Sequence, residues 1–166
     1  MNQDLVRMTA VELLEQYRAG KLSPVEVTEA MLNQIERLDE HCNAWCLVDR
    51  DTSLEHARAS EERWQRRARG GQLSAGRPPN NEVFLTPMWP TLKGSKTVDP
   101  DATLNQEAPA VAALHRHGYV PLGKTTTPEF GWKGVTDSPL HGATGNPWDP
   151  SKTAGGSSGG SAVAVA

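Results

Sequence analysis

Apolar positions in the first forty residues recur at helical spacing. Val11, Leu14 and Tyr17 fall three apart, and Val27, Met31, Ile35 and Leu38 follow at intervals of 4, 4 and 3. This is the period that lines up one face of an α-helix. Both runs open on a capping box: Thr9-Ala-Val-Glu12, and Ser23-Pro-Val-Glu26 with proline at the first helical position. Gly20 stops the first helix. Ala44–Asp49 reads as a short strand. A polar third helix runs from about Asp51 to Arg69 and ends at Gly70-Gly71. Its terminal arginines, Arg63, Arg66, Arg67 and Arg69, suit a solvated face at a helix C-terminus. Gln72–Asn81 has turn formers and no periodicity, so a loop is expected there. Val83–Leu92 is apolar but broken by Pro87 and Pro90, which allows only irregular edge structure.

The second half changes character. A helix is predicted over Ala108–His117, then a strand over Tyr119–Leu122, running into Gly123-Lys124-Thr125. Helix, glycine, short apolar strand and polar loop together predict an α/β fold. Thr126–Gly160 is rich in glycine, proline, serine, threonine and asparagine. The small apolar residues from Ser161 to Ala166 are suited to open a tightly packed helix.

Composition narrows the function. Seventeen basic residues against 20 acidic ones leave a net charge of -3, which argues against a nucleic-acid footprint and a polybasic membrane anchor. No apolar run approaches the roughly 18 residues of a membrane span. The two cysteines, Cys42 and Cys46, do not make a disulfide framework and suit a cytoplasmic protein. With no His/Cys pair nearby in sequence, they read as two half-buried thiols and no metal site.

The chemistry is concentrated in Ala154-Gly-Gly-Ser157-Ser158-Gly-Gly-Ser161. Glycines flanking serine let backbone N–H groups and a hydroxyl approach a reacting atom closely. A flexible linker would not be followed at once by apolar AVAVA. A phosphate loop needs a lysine after the glycines, and none is present. Gly155 and Gly159 fit a nucleophile elbow around Ser157, but that motif needs a strand leading in, and a Pro-Trp-Asp-Pro loop is expected instead.

Gly118–Ala166, with GKT-x-x-PEF, NPW-x-P and GGSSGGSA in one order, together with the helix Glu107–His117 and the two capping boxes, resembles the amidase signature family. That resemblance implies the N-terminal part of an α/β/α fold with a mixed central sheet. Residues 1–166 are then a partial domain: a helical region over about 1–70, a loop over 72–81 and an α/β part over 82–166. It also implies hydrolysis of small-molecule amides by a Ser-Ser-Lys triad, without cofactor, metal, nucleic acid or membrane. Ser157 takes the place of the bridging serine, on a Gly156–Ser157 peptide that is cis in an intact family site. Gly155, Gly156, Ser158, Gly159 and Gly160 form its supporting loop.

Two departures follow from the same resemblance. The family's nucleophilic serine lies in a second glycine-rich turn, whereas nine residues follow Ser157, and Ser158 and Ser161 stand too close to replace it. Without that turn, the Gly156–Ser157 bond is expected to be trans, and uncovered sheet edges are expected to favour self-association. The lysine base departs too. Lys93 is the available candidate, but Phe84–Val98 matches the segment that follows the family's lysine, which puts the lysine position at Asn81, with Glu82 next. Asn81 stands 76 residues before Ser157 and Lys93 stands 64, and the longer span suits the family. An amide side chain is no base near neutral pH. The expectation is a chain that does not hydrolyse amides alone, with a binding remnant or one half of a split hydrolase as alternatives. Lys124 reads as a structural or surface lysine. Glu129 and Asp137 suit turns or caps, His115 and His117 suit a helix C-terminus, and Trp132 and Trp148 suit core packing or a cleft wall.

Overall fold

A computed structural model describes residues 2–67 and 80–166, which fall into two compact units. The first comprises 2–37, 49–67 and 113–122; the second comprises 38–48, 80–112 and 123–166. The expected end of the third helix at Gly70-Gly71 and most of the expected loop, residues 72–79, lie outside the described residues.

The first unit is helical. Helix α1 (Asn2–Arg7) precedes α2 (Ala10–Arg18). The Thr9 box is complete: Glu12 N–H donates to Thr9 Oγ1, and the Glu12 carboxylate accepts from Thr9 N–H at 2.7 Å. The Thr9 N–H and the Thr9 hydroxyl, both donating to the Glu12 carboxylate, hold that carboxyl below its ordinary pKa. Helix α3 (Pro24–Cys42) opens on the second box, where Ser23 N–H donates to Glu26 Oε2 at 2.9 Å and Val25 N–H donates to Ser23 Oγ. The buried faces match the predicted ones in part: Tyr17 and Val27 are buried and Met31 packs against them, but other positions differ. In α2 the buried side chains are Leu13 and Tyr17, four apart, while Val11 is exposed. In α3 they are Pro24, Val27, Thr28, Ala30 and Leu32, while Leu38 is exposed. Spacing alone permits either phase of a helix. The core of Leu13, Tyr17 and Val27, flanked by Met8, Leu22, Met31 and Trp64, selects the observed one. Helix α4 (Arg50–Arg67) sends Arg63 to Gly118, whose carbonyl accepts from the guanidinium at 3.0 Å.

The second unit carries the central sheet. Strand β1 (Trp45–Val48) runs antiparallel to β3 (Gly123–Thr125), and β2 (Asn80–Asn81) runs parallel to β3, giving the order β1-β3-β2. The sheet is therefore mixed. Two corrections apply. Asn80 and Asn81 are strand, not loop. Helix α5 (Pro109–Arg116) is followed by buried Tyr119, Val120 and Leu122, but the ladder begins only at Gly123. At Gly123 a Cβ would lie 2.0 Å from the Leu47 carbonyl oxygen, so glycine lets β1 close onto β3 there. Two ribbons follow: β4 (Asp137–Ser138) with β5 (Gly142–Ala143), and β6 (Gly145–Asn146) with β7 (Asp149–Thr153). Helix α6 (Gly159–Val165) lies against β2 and β3. No helix among the described residues is long and apolar enough to cross a membrane.

Leu13 is fully buried among Tyr17 and Val27. Leu13→Ala should lower unfolding stability by about 2–5 kcal/mol, read from the shift in denaturant midpoint. Val11→Ala, on the exposed face, should change it by less than about 0.5 kcal/mol.

Candidate active site

Strand β7 is exposed along its length and leads directly into Ala154 and the glycine-serine loop. A strand therefore does enter the loop, so that ground for excluding a nucleophile elbow falls. Among the described residues the Ser157 hydroxyl makes no hydrogen bond, to histidine or to any other group. Gly155 takes φ +77°, which turns the chain at the start of the loop. The Gly156–Ser157 bond is cis, not trans as expected. The trans expectation treats the downstream turn as the loop's support, whereas the loop is held from within this chain.

That support is Thr136. Its hydroxyl donates to the Gly155 carbonyl at 2.7 Å and accepts from Gly159 N–H at 3.0 Å, so one buried side chain brackets the loop. Thr144 N–H donates to the Thr136 carbonyl, and Thr144 Oγ1 shares a 2.6 Å hydrogen bond with Thr126 Oγ1. Thr126 N–H in turn donates to the Ala44 carbonyl, beside β1. Sequence reasoning misses these threonines. The consecutive Thr125-Thr126-Thr127 is the available signal, because three threonines at the end of a buried strand must find partners for three hydroxyls.

Ser157 is half-buried and Ser158 exposed. Helix α6 starts at Gly159, two residues earlier than expected. Both first residues are packed too closely for a side chain: a Cβ on Gly159 would lie 2.2 Å from Thr136 Oγ1, and one on Gly160 would lie 2.5 Å from Thr126 N. Ser161, on the first turn of α6, shares a 2.7 Å hydrogen bond with Thr125 Oγ1. Thr125 is also the register partner of Asn81. The strand bearing the expected lysine position and the helix following Ser157 thus meet at Thr125.

The lysines sit elsewhere. Lys93 has φ +55° in the turn before Gly94, and its carbonyl accepts from Phe130 N–H at 2.7 Å. Its amine has no hydrogen bond or ion pair among the described residues, to Ser157 or to any other group. Lys124 is buried, so the surface alternative is excluded. Successive strand residues face opposite sides, and Thr125 faces Ser161, so Lys124 points away from the glycine-serine loop. Its amine donates to Thr91 Oγ1 at 2.6 Å and to the Pro90 carbonyl at 3.2 Å. Burial pulls its pKa down to about 8, against the charges of Glu82 and Cys46, which raise it. Glu82 is buried too: its carboxylate accepts from Gly94 N–H at 2.6 Å and bonds His141 Nε2 at 3.1 Å. Trp132 and Trp148 are not core residues, being 79% and 80% exposed.

The model of the family described as Amidase matches residues 26–166. The chain is 38% identical over 170 residues to a glutamyl-tRNA(Gln) amidotransferase subunit of Streptomyces avermitilis, covering 99% of this chain and 33% of that protein. It is 38% identical over 164 residues to indoleacetamide hydrolase of Bradyrhizobium diazoefficiens, covering 95% and 30%. Among solved structures, a bacterial aryl acylamidase of the amidase signature enzymes superposes with a TM-score of 0.83 at 30% identity, covering 92% of this chain and 32% of that one. The chain spans about a third of the length of these relatives.

Gly160→Ala brings a methyl group against the Thr126 and Ala44 backbones, so it should destabilise by about 1–3 kcal/mol despite alanine's higher helix propensity. Gly134→Ala, with open space around it, should be near neutral in the same unfolding assay. The Lys124 pKa, depressed from 10.5 to about 8, means that the unfolded chain holds the proton more tightly. Its contribution to stability therefore rises with pH between about 8 and 10.5. Compared with Lys124→Met, the wild-type chain should gain about 3 kcal/mol across that window. Cys46, pushed up to about 12, acts with the opposite sign above pH 9, and the variant removes the Lys124 charge that lowers it, so the comparison is read from pH 8 to 9 upward with that opposing contribution in both proteins. A pH-independent difference in unfolding free energy would refute the assignment.

Proposed function

The chain belongs to the amidase family, and on that premise we propose that it carries the bridging-serine part of a Ser-Ser-Lys amide-hydrolysis site that lacks its base. Ser157 is the bridging serine, Asn81 stands where the lysine would be, and Lys93 is not a displaced base. The observation that carries this reading is the meeting at Thr125: Ser161, four residues after Ser157, hydrogen-bonds Thr125, and Asn81 is its register partner. A lysine at position 81 would thus belong to the strand against which the serine-bearing loop and helix pack. An asparagine amide takes no proton from a serine hydroxyl near neutral pH, so a nucleophile relayed through Ser157 would remain protonated and weak.

The substrate class is carboxamides. Its support is the amide chemistry named in relatives as different as an amidotransferase, indoleacetamide hydrolase and aryl acylamidase. We read residues 1–166 as a partial amidase domain of a cytoplasmic protein. A second reading, one half of a split hydrolase, is favoured by one observation: Phe130, Trp132, Trp148 and Val165 are all more than half exposed in the second unit. Exposed aromatic and aliphatic groups of this kind suit a surface that a complementary chain, or a second copy, covers.

Incubated alone with simple aryl and fatty amides, the chain should give no turnover above the uncatalysed rate. Removal of triad members leaves only a small residue of activity in serine hydrolases generally. Turnover that vanishes in Ser157→Ala and in Lys93→Met would overturn the proposal and make Lys93 the base.

A further inference from the structure

No nearby His/Cys pair completes a site with Cys42 and Cys46 in the sequence, which argues there against a metal site; folding brings a distant histidine to Cys46. Cys46 Sγ, a Glu82 carboxylate oxygen and a His141 ring nitrogen all lie within 4.8 Å of one another. The three come from separate parts of the second unit. Cys46 is on β1, Glu82 directly follows β2, and His141 is in the turn between β4 and β5. We propose that Cys46 Sγ, the Glu82 carboxylate and His141 Nε2 bind one divalent transition-metal ion of the zinc type.

Local structure aims each group at the same point. Trp45 pairs with Thr125 and Leu47 with Lys124, so β1 advances two residues while β3 advances one, and Cys46 is the unpaired residue of a β-bulge. A bulge re-aims the side chain it displaces. Glu82 is nearly fully buried and fixed at both ends: its N–H donates to the Thr125 carbonyl, and its Oε2 accepts from Gly94 N–H. That leaves Oε1 facing His141 Nε2 at 3.1 Å, a separation close to that of two ligands on one tetrahedral ion with metal bonds of about 2.0–2.2 Å. His141 is itself held, its N–H donating to Ser138 Oγ at 3.0 Å.

The donor set selects the ion. One thiolate, one imidazole and one carboxylate suit zinc or cobalt, whereas magnesium and calcium require oxygen ligands throughout. Three protein ligands leave the fourth position to water. In the ion-free chain the Cys46 thiol stays protonated, its pKa raised to about 12 by burial and by the Glu82 charge, and it donates to the Lys124 carbonyl at 3.2 Å. Binding an ion displaces that proton to solvent. The neighbouring Lys124 ammonium opposes a cation, but it is directed to Thr91 and Pro90, and burial has already lowered its pKa to about 8.

The bland alternative is a clamp in which Glu82 and His141 join the Gly94 turn to the β4–β5 ribbon. Such a clamp needs no thiol. The two are separated by titrating the full chain, stripped with a chelator, with Zn²⁺ against a chromophoric competitor, and with Co²⁺ as a spectroscopic probe. One equivalent of Zn²⁺ should bind, and Co²⁺ should show a near-ultraviolet thiolate-to-cobalt charge-transfer band. Cys46→Ser should abolish the band. Cys46→Ser and His141→Gln should each weaken Zn²⁺ binding by at least the roughly 10–100-fold typical of lost supporting groups, and Cys42→Ser should change neither. Absence of stoichiometric binding or of the band in the wild-type chain overturns the site, whether or not the variants fold. So does a band that survives Cys46→Ser or is lost in Cys42→Ser.

Discussion

Gly159 and Gly160 begin α6 pressed against Thr136 and Thr126, and the loop, the helix and the sheet take their positions from that fit. A methyl group on either glycine would overlap a threonine hydroxyl or the backbone beside it. The same threonines supply the hydrogen bonds that hold the loop: Thr136 brackets Gly155 and Gly159, and Thr126 ties Thr144 to the Ala44 carbonyl. Close packing and hydrogen bonding therefore act at the same atoms. A larger residue at position 159 or 160 would cost both, since the hydroxyls would have to move away from the partners they satisfy.

The two sets of polar groups around β3 are divided by strand alternation. On one side Thr125 meets Ser161 and the glycine-serine loop. On the other lie buried Lys124 and Glu82 and half-buried Cys46, and the Glu82 charge acts on the protonation of both Lys124 and Cys46. A buried lysine of lowered pKa is the kind of group expected of a general base. Here it faces away from the serines, and burial alone accounts for its pKa. The neighbouring strand β2 pairs Asn81 with Thr125, the residue that meets Ser161.

Much of this was legible in the sequence because it rests on local rules. Capping residues bond within three positions, so Thr9–Glu12 and Ser23–Glu26 could be read directly. The glycine-serine loop was legible because only glycine tolerates the contacts found there. What was not legible depends on distant partners. The phase of α2 was set by Val27 and Trp64, neither visible from the spacing of Val11 and Leu14. Asn80–Asn81 has no strand propensity and is strand because Lys124 and Thr125 pair with it. His141 and Cys46, 95 residues apart in the sequence, become neighbours only through the bulge in β1 and the β4–β5 turn.

The order β1-β3-β2 places in the centre the strand that is made last. Every ladder bond of β1 and of β2 is formed with Gly123–Thr125. A nascent chain can therefore build the helices of its first half from near neighbours, but it can start no part of this sheet until Gly123 and the residues after it have emerged. Until then both outer strands wait without partners, and closing them spans long stretches of chain. Contacts of that kind slow folding, and unpaired strands are the ones that meet other chains during synthesis. Their shortness, four residues in β1 and two polar ones in β2, limits what such an encounter can hold on to.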